Sequence, residues 1–342
     1  MIDTVPALLR ERAAARGDHA LLICDDDVLT YTDADSRSAA LAHTLLAWGA
    51  GPGTHVGLLY PNGPDFVVAW LAAARIGAIT IPLSTFSTPT ELVTLLRSAD
   101  IELLLATKPF RGRDYTADVP ELPNLDTPAM RRIVFEVPTV SGDDDRRRAL
   151  EASVRPSDRM VIVHTSGSTS EPKGVIHQHG ALIGHLRNLN ALRRYTEGDV
   201  LFSNSPFFWI GGFAYSLLGT LLAGATLVCS NATDPSATLD LLERVRPNMV
   251  NGFAAAVAHL AKEPSFARRD LSSIRRGNLW PIMPADVRAV DPELRHNMLG
   301  MTETGSVCLA NADETDQPEA RRGSFGKPVP GFEAKIVDPE TG

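Results

Sequence analysis

Short apolar runs alternate along this sequence with segments whose apolar residues recur at helical spacing. Residues 56–60, 78–83 and 101–106 are runs of strand length that are apolar almost throughout, and residues 35–48 and 66–76 show helical spacing. A strand that is apolar on both faces belongs in a sheet that helices cover on both sides. The alternation therefore predicts an α/β fold.

The length and one polar stretch suggest how this fold is divided. A chain of 342 residues fits two packed units. Residues 108–156 are rich in Pro, Asp and Arg, and within them three aspartates directly precede three arginines, which predicts a solvated linker. We expect two α/β/α subdomains and the start of a small β subdomain, at residues 1–156 (including the linker), 157–320 and 321–342.

Composition argues against several classes of partner and compartment. Lys and Arg number 33 against 41 Asp and Glu, a net charge of −8, whereas nucleic-acid coats and membrane-surface proteins use a net basic face. The three cysteines are odd in number and far apart in sequence, which favours the reducing cytosol over a disulfide framework or a zinc cluster. No basic segment followed by an apolar stretch opens the chain, so we expect a cytoplasmic protein without a signal peptide.

One segment needs a test for membrane insertion. Residues 201–231 carry no charge, and most of residues 206–229 are apolar, which is long enough to span a bilayer. Four glycines interrupt this segment, however, and no Lys or Arg cluster sits directly at either end to set an orientation. The sequence therefore favours a buried helix that runs into a buried strand at 225–230, with no transmembrane span.

A segment rich in hydroxyl groups directly follows a predicted strand at 160–164, and it reads Thr165-Ser166-Gly167-Ser168-Thr169-Ser170-Glu171-Pro172-Lys173-Gly174. Its first six residues are poor helix or strand formers and offer a cluster of backbone N–H and hydroxyl donors, to which Lys173 adds a charge. A polyphosphate needs such donors in an acidic protein, although a simple surface turn is the alternative. The Gly-Lys-Ser/Thr of a Walker loop is absent, which weighs against a P-loop kinase or GTPase.

Four segments, in the right order, resemble motifs of the acyl-adenylate-forming superfamily, which includes acyl-CoA synthetases, nonribosomal peptide adenylation domains and firefly luciferase. They are the hydroxyl-rich loop, Gly300-Met301-Thr302-Glu303-Thr304-Gly305, the turn at 323–331, and the early block at 58–62 and 72–82. The resemblance covers nearly the whole chain. It implies two steps, in which a carboxylate attacks the α-phosphate of ATP to give an acyl-adenylate, and a thiol, usually that of coenzyme A, displaces AMP.

The resemblance also implies roles for individual residues. Thr302 and Glu303 are the implied catalytic residues, because Thr302 would bond the α-phosphate and Glu303 would hold Mg²⁺, with Thr169 as a second candidate ligand. Asn278 and Leu299 are candidates for the adenine pocket, although Leu299 replaces an aromatic residue that stacks on adenine in many relatives. The implied ATP-binding residues are Thr165, Ser166, Gly167, Ser168, Thr169, Lys173, Gly300, Met301 and Thr302.

Residues 206–215 match the family's acyl-pocket motif. Trp209 stands where many relatives have a histidine, and Phe213 stands roughly where some fatty-acyl enzymes have an aromatic gate. Relatives that activate amino acids carry an Asp in this region, but residues 201–231 offer none to pair with an ammonium group. An apolar or aromatic carboxylic acid is therefore expected, with core packing as the alternative for each of the implied wall residues Phe208, Trp209, Gly211 and Phe213.

Two further features limit these expectations. His177 and His179 would share a face of a strand, but no third ligand follows at a useful spacing, so a structural or pocket-wall role is expected over a metal site. The chain stops at residue 342, where the resemblance implies more strands, a ribose-binding Asp, a hinge and a small C-terminal domain with a catalytic lysine. We therefore expect this chain, which lacks the C-terminal domain, to be inactive or severely impaired alone.

The leading prediction is the large domain of an AMP-forming fatty-acid–CoA ligase. An aryl- or steroid-acid–CoA ligase, or an acyl-AMP ligase that serves a carrier protein, is the alternative among enzymes. A non-catalytic module that binds ATP or an acyl ligand is the alternative of another class. The sequence leaves open the acyl chain length, the acceptor thiol and the oligomeric state.

Overall fold

A computed structural model of the protein describes residues 2–119, 127–138, 140–165 and 172–342. The helices are α1 (Val5–Arg16), α2 (Tyr31–Ala47), α3 (Pro64–Arg75), α4 (Pro89–Ser98), α5 (Tyr115–Asp118), α6 (Asp144–Ser153), α7 (His179–Leu192), α8 (Gly219–Ala223), α9 (Pro235–Val245) and α10 (Ala254–Val257). A π-helix, Gly211–Leu218, runs directly into α8.

The strands are β1 (Ala20–Cys24), β2 (Asp27–Thr30), β3 (His55–Leu59), β4 (Ile79–Pro82), β5 (Leu103–Ala106), β6 (Pro109–Phe110), β7 (Arg113–Asp114), β8 (Arg132–Val134), β9 (Arg159–Thr165), β10 (Lys173–Gln178), β11 (Val200–Ser203), β12 (Thr226–Cys229), β13 (Met249–Asn251), β14 (Arg276–Gly277), β15 (Leu299–Met301), β16 (Ser306–Ala310) and β17 (Lys327–Pro328).

Two six-stranded sheets form the centre of the molecule. One has the order β10–β9–β4–β3–β5–β8 and is parallel except for the β9–β10 hairpin. The other has the order β14–β13–β11–β12–β1–β2 and is parallel except for the β1–β2 hairpin. A smaller antiparallel sheet, β15–β16–β17, follows. The predicted α/β class, with helices covering largely parallel sheets, is confirmed.

The two large sheets do not divide at residue 156, where the sequence suggests a boundary. β1 and β2 come from the beginning of the chain, yet β1 pairs in register with β12, with Cys24 opposite Cys229. Conversely, β9 and β10 follow residue 156 but belong to the sheet built on β3, β4 and β5. Crossover connections, not sequence order, decide which parallel strands become neighbours. A polar stretch in the sequence therefore does not mark the division between sheets.

Helix α3 lies in a core that elements of both large sheets share. Every residue from Phe66 to its last residue, Arg75, is buried, as a helix that is apolar on all sides requires. Its Trp70 packs edge-to-face against Phe213 of the π-helix, with 5.1 Å between ring centroids, and Phe66 packs against Phe207 at 5.4 Å. These contacts tie α3 to the segment that later forms the cavity wall.

The uncharged stretch at 201–231 is an internal part of the fold. It contains β11, the π-helix, α8 and β12, and β12 is paired on both sides. Gly212 is required within it, because a Cβ there would lie 2.0 Å from the Pro206 carbonyl oxygen. In the part of the chain that the structure describes, we find no helix with the length and apolar character to span a bilayer. The predicted buried helix that runs into a buried strand is confirmed.

The run of aspartates and arginines before residue 149 forms the start of α6, where the sequence suggests a linker. Five of its six residues are exposed, as expected of a solvated segment, and Arg147 is the exception. Asp143 caps α6, because its Oδ1 accepts a hydrogen bond from the Asp145 backbone N–H at 2.9 Å. Arg147 and Glu151 lie one turn apart on α6 and are both buried. Burial is tolerated because the Glu151 carboxylate accepts hydrogen bonds from Arg75 of α3 and from Arg147, each at 2.8 Å. A partner distant in sequence, Arg75, thus helps to keep Glu151 and Arg147 buried beside a charged run that is otherwise exposed.

Candidate functional site

A cavity of about 470 Å³, here called the main cavity, opens where strands of both large sheets end. Thr165 is the last residue of β9, and Ser205, Gly252 and Asn278, which follow β11, β13 and β14, line the same space. The carboxyl ends of parallel strands are where open α/β sheets bind ligands. The remaining wall comes from the start of the π-helix and from β15 with the turn after it.

The predicted phosphate loop connects β9 to β10. Thr165 and Lys173 pair across these strands in antiparallel register, so the two ends of the loop lie side by side. Thr165 lines the main cavity, and Lys173 is exposed. The hairpin therefore places Thr165, the first residue of the predicted loop, at the main cavity. The predicted ATP-binding residues Ser166, Gly167, Ser168 and Thr169, and with them the Mg²⁺ role of Thr169, lie outside the described residues.

β15 and the 3₁₀ turn Thr302–Thr304 supply the next predicted site residues. Gly300, Met301 and Thr302 all line the main cavity. A Cβ on Gly300 would lie 2.7 Å from the Ser306 carbonyl oxygen on the neighbouring strand, so this close approach requires glycine. The Thr304 hydroxyl fixes the turn, because it lies 3.0 Å from the Met301 carbonyl oxygen and 2.7 Å from that of Ser306.

Glu303 faces a different space from its neighbour Thr302. It is exposed in a second cavity of about 630 Å³, which His177 also lines. Burial lowers the pKa of His177, while the Thr302 backbone and the charge of Glu303 oppose that shift. The turn therefore presents one predicted catalytic side chain to each cavity. In the described ranges, no three His, Cys, Asp or Glu side chains are grouped for a metal ion.

His179 is packed in the core at the first position of α7. It is fully buried, and its Nδ1 accepts a hydrogen bond from the Val5 backbone N–H at 3.3 Å. Burial lowers the pKa of His179 to about 4, so the core holds the neutral ring. The expectation that His177 and His179 share a strand face is wrong, because β10 ends between them and the helix turns His179 inward.

The four predicted acyl-wall residues separate into two groups. Trp209 and Gly211 line the main cavity, whereas Phe208 and Phe213 do not. Phe213 is fully buried against Trp70 and is therefore not a gate over the cavity. For Phe213 the physical reason is helical geometry, because it lies two residues after Gly211 and residues two apart in a helix do not face the same side.

Trp209 lines the main cavity and packs in a cluster with three other aromatic rings, of which Phe253 also lines the cavity. The Trp209 side chain is 42% exposed. It contacts Phe86, Phe208 and Phe253 at centroid distances of 6.1, 5.6 and 5.7 Å, all close to edge-to-face. These contacts hold an apolar surface partly open to solvent beside the cavity.

The candidate adenine residues also behave differently from one another. Asn278 lines the main cavity, and its side-chain amide makes two hydrogen bonds to the backbone of Gly252. Its Oδ1 accepts from the Gly252 N–H at 3.1 Å, and its Nδ2 donates to the Gly252 carbonyl oxygen at 2.9 Å. Gly252 has φ +142° and, with a Cβ, would meet the Asn204 side chain at 1.8 Å, so glycine is needed there. Leu299 is 37% exposed and does not line the cavity.

The described wall of the main cavity contains no Asp, Glu, Lys or Arg. Its histidine, His164, has a pKa lowered by burial. An ammonium group would therefore find no carboxylate partner in this wall, whereas an apolar body needs none.

Sequence reasoning did not single out His164, Ser205, Gly252 or Met298, which also line the main cavity. Three of them sit at or just after the carboxyl end of a predictable strand, which is the signal that points to them.

The motifs around this cavity recur in a known family. A model of the AMP-binding enzyme family matches residues 9–342. The chain belongs to this family. The match spans both large sheets and the smaller one, so the loop, the Thr302 turn and the apolar wall all fall within it.

Curated relatives and solved structures agree with this assignment. A 3-[(3aS,4S,7aS)-7a-methyl-1,5-dioxo-octahydro-1H-inden-4-yl]propanoyl:CoA ligase of Mycobacterium tuberculosis is 29% identical, over 98% of this chain and 69% of its own length. 4-Coumarate–CoA ligase 2 of Oryza sativa subsp. japonica is 30% identical, over 97% of this chain and 63% of its own length. The crystal structure of an anthranilate CoA ligase in complex with anthranoyl-AMP shares the fold, with a TM-score of 0.80 and 22% identity, over 98% of this chain and 66% of that chain.

Proposed function

We propose that this chain is the large domain of an AMP-forming acid–CoA ligase that activates an apolar carboxylic acid with MgATP. The observation that carries the proposal is the main cavity, where the phosphate-loop strand and the Thr302 turn meet an uncharged wall. An acyl-adenylate needs polar groups at its phosphate and apolar surface around its acyl body, and this cavity offers both. The matching family supports the reaction class.

In the first proposed step, a carboxylate oxygen of the acid attacks the α-phosphorus of ATP. A new oxygen–phosphorus bond forms while the bond to the bridging oxygen of pyrophosphate breaks. The Thr302 hydroxyl and the donors between Thr165 and Lys173 would hold the phosphates, so positioning and charge stabilisation do the catalytic work. In the second step, a thiol sulfur forms a bond to the acyl carbonyl carbon, and the bond from this carbon to the phosphate oxygen breaks, so that AMP leaves and the thiol proton passes to solvent.

Glu303 is the proposed Mg²⁺ ligand. Mg²⁺ takes oxygen donors and usually combines one or two carboxylates with substrate phosphates and water, so an exposed carboxylate beside Thr302 suits it. The ion would neutralise phosphate charge when bound. Glu303→Gln is expected to abolish the magnesium dependence of ATP binding in calorimetry, while Glu11→Gln on α1 leaves it intact. Equal magnesium dependence in the two variants would assign the ion to another carboxylate.

The acyl substrate is proposed from the shape and charge of the cavity. A compact aryl or ring acid can fill the uncharged main cavity, whereas a long straight tail would extend toward the charged lining of a smaller chamber behind Met298. The relatives named for 4-coumarate and for a bicyclic propanoyl group also favour a ring acid. A fatty acid remains the second candidate, supported by the uncharged wall.

A panel of acids tests this choice. Dissociation constants with MgATP would be measured by calorimetry for straight acids from C4 to C16, for aryl and ring acids of equal carbon number, and for matching α-amino acids. Tighter binding of ring acids supports the proposal. A steady gain of about 0.8 kcal/mol per methylene, roughly fourfold in affinity, up to long chains would favour a fatty acid instead. Preferential binding of an amino acid would overturn the apolar-acid assignment.

Turnover separates the remaining alternatives. Pyrophosphate release and acyl-thioester formation would be followed with coenzyme A and with a carrier protein as acceptors, using the chain alone and with a relative's C-terminal domain added. We expect background turnover from the chain alone and coenzyme A as the acceptor. Ligand binding without pyrophosphate release under any of these conditions would favour a non-catalytic binding module.

We also propose that the reaction takes place in the cytoplasm, because the sequence has few, widely spaced cysteines. The three cysteines are free and buried, which is consistent with this proposal.

A further inference from the structure

Behind the main cavity lies a second, smaller space of about 110 Å³, here called the inner chamber. Tyr215, Asn251, Asn278 and Met298 line both spaces, so the two share a wall and adjoin each other. Their linings differ in kind. The described wall of the main cavity is uncharged, whereas the inner chamber has Arg193, Arg295, His296, Asn311, Asp313 and Glu314 on its surface.

Most charged or polar groups of the inner chamber already have partners. Arg295 is paired with Asp316, and His296 lies 3.0 Å from the Ser324 hydroxyl and 3.1 Å from the Asn311 amide nitrogen. Asp313 accepts a hydrogen bond from Gln317 at 3.0 Å. These contacts hold the groups in the walls of the chamber.

Two neighbouring groups, Tyr215 at the shared wall and Arg193 of the inner chamber, have donors without a strong acceptor. The Tyr215 hydroxyl donates to the Met298 sulfur at 3.3 Å, and a thioether is a weak acceptor. Arg193 stacks over the Tyr215 ring at 4.0 Å and donates to the Tyr215 carbonyl oxygen at 2.9 Å. Its Nε is buried without a hydrogen-bond partner.

We infer that Tyr215 is a specificity-determining residue, and that the acid this site takes carries an oxygen acceptor, a carbonyl or a hydroxyl, at the end remote from its carboxylate. The inference rests on the proposed function. An acceptor oxygen at the shared wall would replace the Met298 sulfur as the partner of the Tyr215 hydroxyl, exchanging a weak hydrogen bond for an ordinary one. The neighbouring Arg193 would add positive potential at the same point.

The test uses two matched pairs of ligands, a monocyclic and a bicyclic propanoic acid, each with and without one carbonyl on the ring position farthest from the propanoate. Their dissociation constants with MgATP would be measured by calorimetry for the native chain, Tyr215→Phe and Tyr195→Phe. Tyr195 is the matched control, because Arg193 also stacks on it at 4.5 Å, but its hydroxyl lies 2.7 Å from that of Thr220 and it lines neither cavity.

In the native chain we expect the oxo acid of at least one pair to bind about five- to tenfold more tightly than its partner, the worth of one buried hydrogen bond. Tyr215→Phe should remove this preference while leaving the affinity for the acid without the carbonyl nearly unchanged, and Tyr195→Phe should keep it. Equal binding of both acids in the native chain would overturn the inference and leave the proposed function standing. Failure of every acid to bind would overturn both.

Discussion

The helix layer around Glu151 and the wall around Tyr215 treat buried polar groups in opposite ways. In the first, Glu151 accepts hydrogen bonds from Arg10, Arg75 and Arg147, and Arg75 also donates to the Ser38 hydroxyl at 2.9 Å. In the second, the Tyr215 hydroxyl donates to a sulfur atom and Arg193 keeps an unused donor. The polar groups around Glu151 therefore satisfy one another, whereas the donors at the Tyr215 wall lack a strong acceptor.

The physical reason is the cost of an unmade hydrogen bond. A buried donor without a good acceptor costs stability, on the order of 1–3 kcal/mol. Such a cost is expected where binding later relieves it, and functional sites are where local rules are broken. The comparison therefore predicts that substitutions around Glu151 change stability, while substitutions around the main cavity change ligand binding.

The largest effect is expected for Glu151→Ala. Removing this carboxylate leaves Arg75 and Arg147 buried without their shared acceptor, and breaking such a network costs up to about 5 kcal/mol of the free energy of unfolding. Urea unfolding measures the change. Asp286→Ala, which breaks the exposed pair with Arg275, serves as the control and should change stability little. A loss for Glu151→Ala no larger than for this control would break the comparison.

The comparison also separates two aromatic residues of the same segment. Phe213→Ala is expected to lower the free energy of unfolding by about 3–4 kcal/mol, because it empties a core site beside Trp70. Trp209→Ala should change stability less but weaken binding of the acid or shift the preferred acid size, since Trp209 lines the cavity. Thermal unfolding and the acid panel, run on both variants, check this. A change of acid preference in Phe213→Ala without a loss of stability would restore its role as a gate.

Lowering the pH should weaken the fold through His179. Its pKa is about 4 in the folded chain, against an ordinary value of 6.5, so between these values the unfolded state binds the extra proton. Stability is therefore lost as the pH falls from about 6.5 to 4, by roughly 3 kcal/mol at most, and then levels off. His179→Gln, which keeps an acceptor for the Val5 amide, should reduce this dependence in urea titrations, whereas His19→Gln on the surface should not. The part that remains in His179→Gln is expected from His164, His177 and His185, whose pKa values burial also lowers.

The smallest effect is expected at the exposed end of the phosphate loop. Lys173→Ala should weaken ATP binding by about tenfold, or roughly 1.4 kcal/mol, because a single solvated charge contact to phosphate is lost. Stability should hardly change. Calorimetry with MgATP measures the affinity, and Lys262→Ala, another exposed lysine, is the control. Equal ATP affinity in both variants would remove Lys173 from the nucleotide site.

Much of the fold could be predicted because local signals act over short distances. The helix at 66–76 and the strands at 56–60 and 101–106 follow from apolar spacing, and the structure has α3, β3 and β5 there. The loop after β9 and the Thr302 turn were found as ordered motifs, and the family match over residues 9–342 supports that reading. These features depend on residues that are close together along the chain.

The tertiary structure alone decided which distant residues meet. The sequence cannot show that Cys24 lies opposite Cys229, because strand order depends on crossover connections. The sequence predicted that Arg147 is solvated. Its burial depends on hydrogen bonds that it donates to Glu151 and Asp144. The sequence motif placed Phe213 at the cavity, but in the π-helix its side chain is buried in the core and does not line the cavity. Burial and hydrogen-bond partners are properties of the packed chain. Contacts between distant segments therefore decide which charged residues are buried and which residues line the cavity.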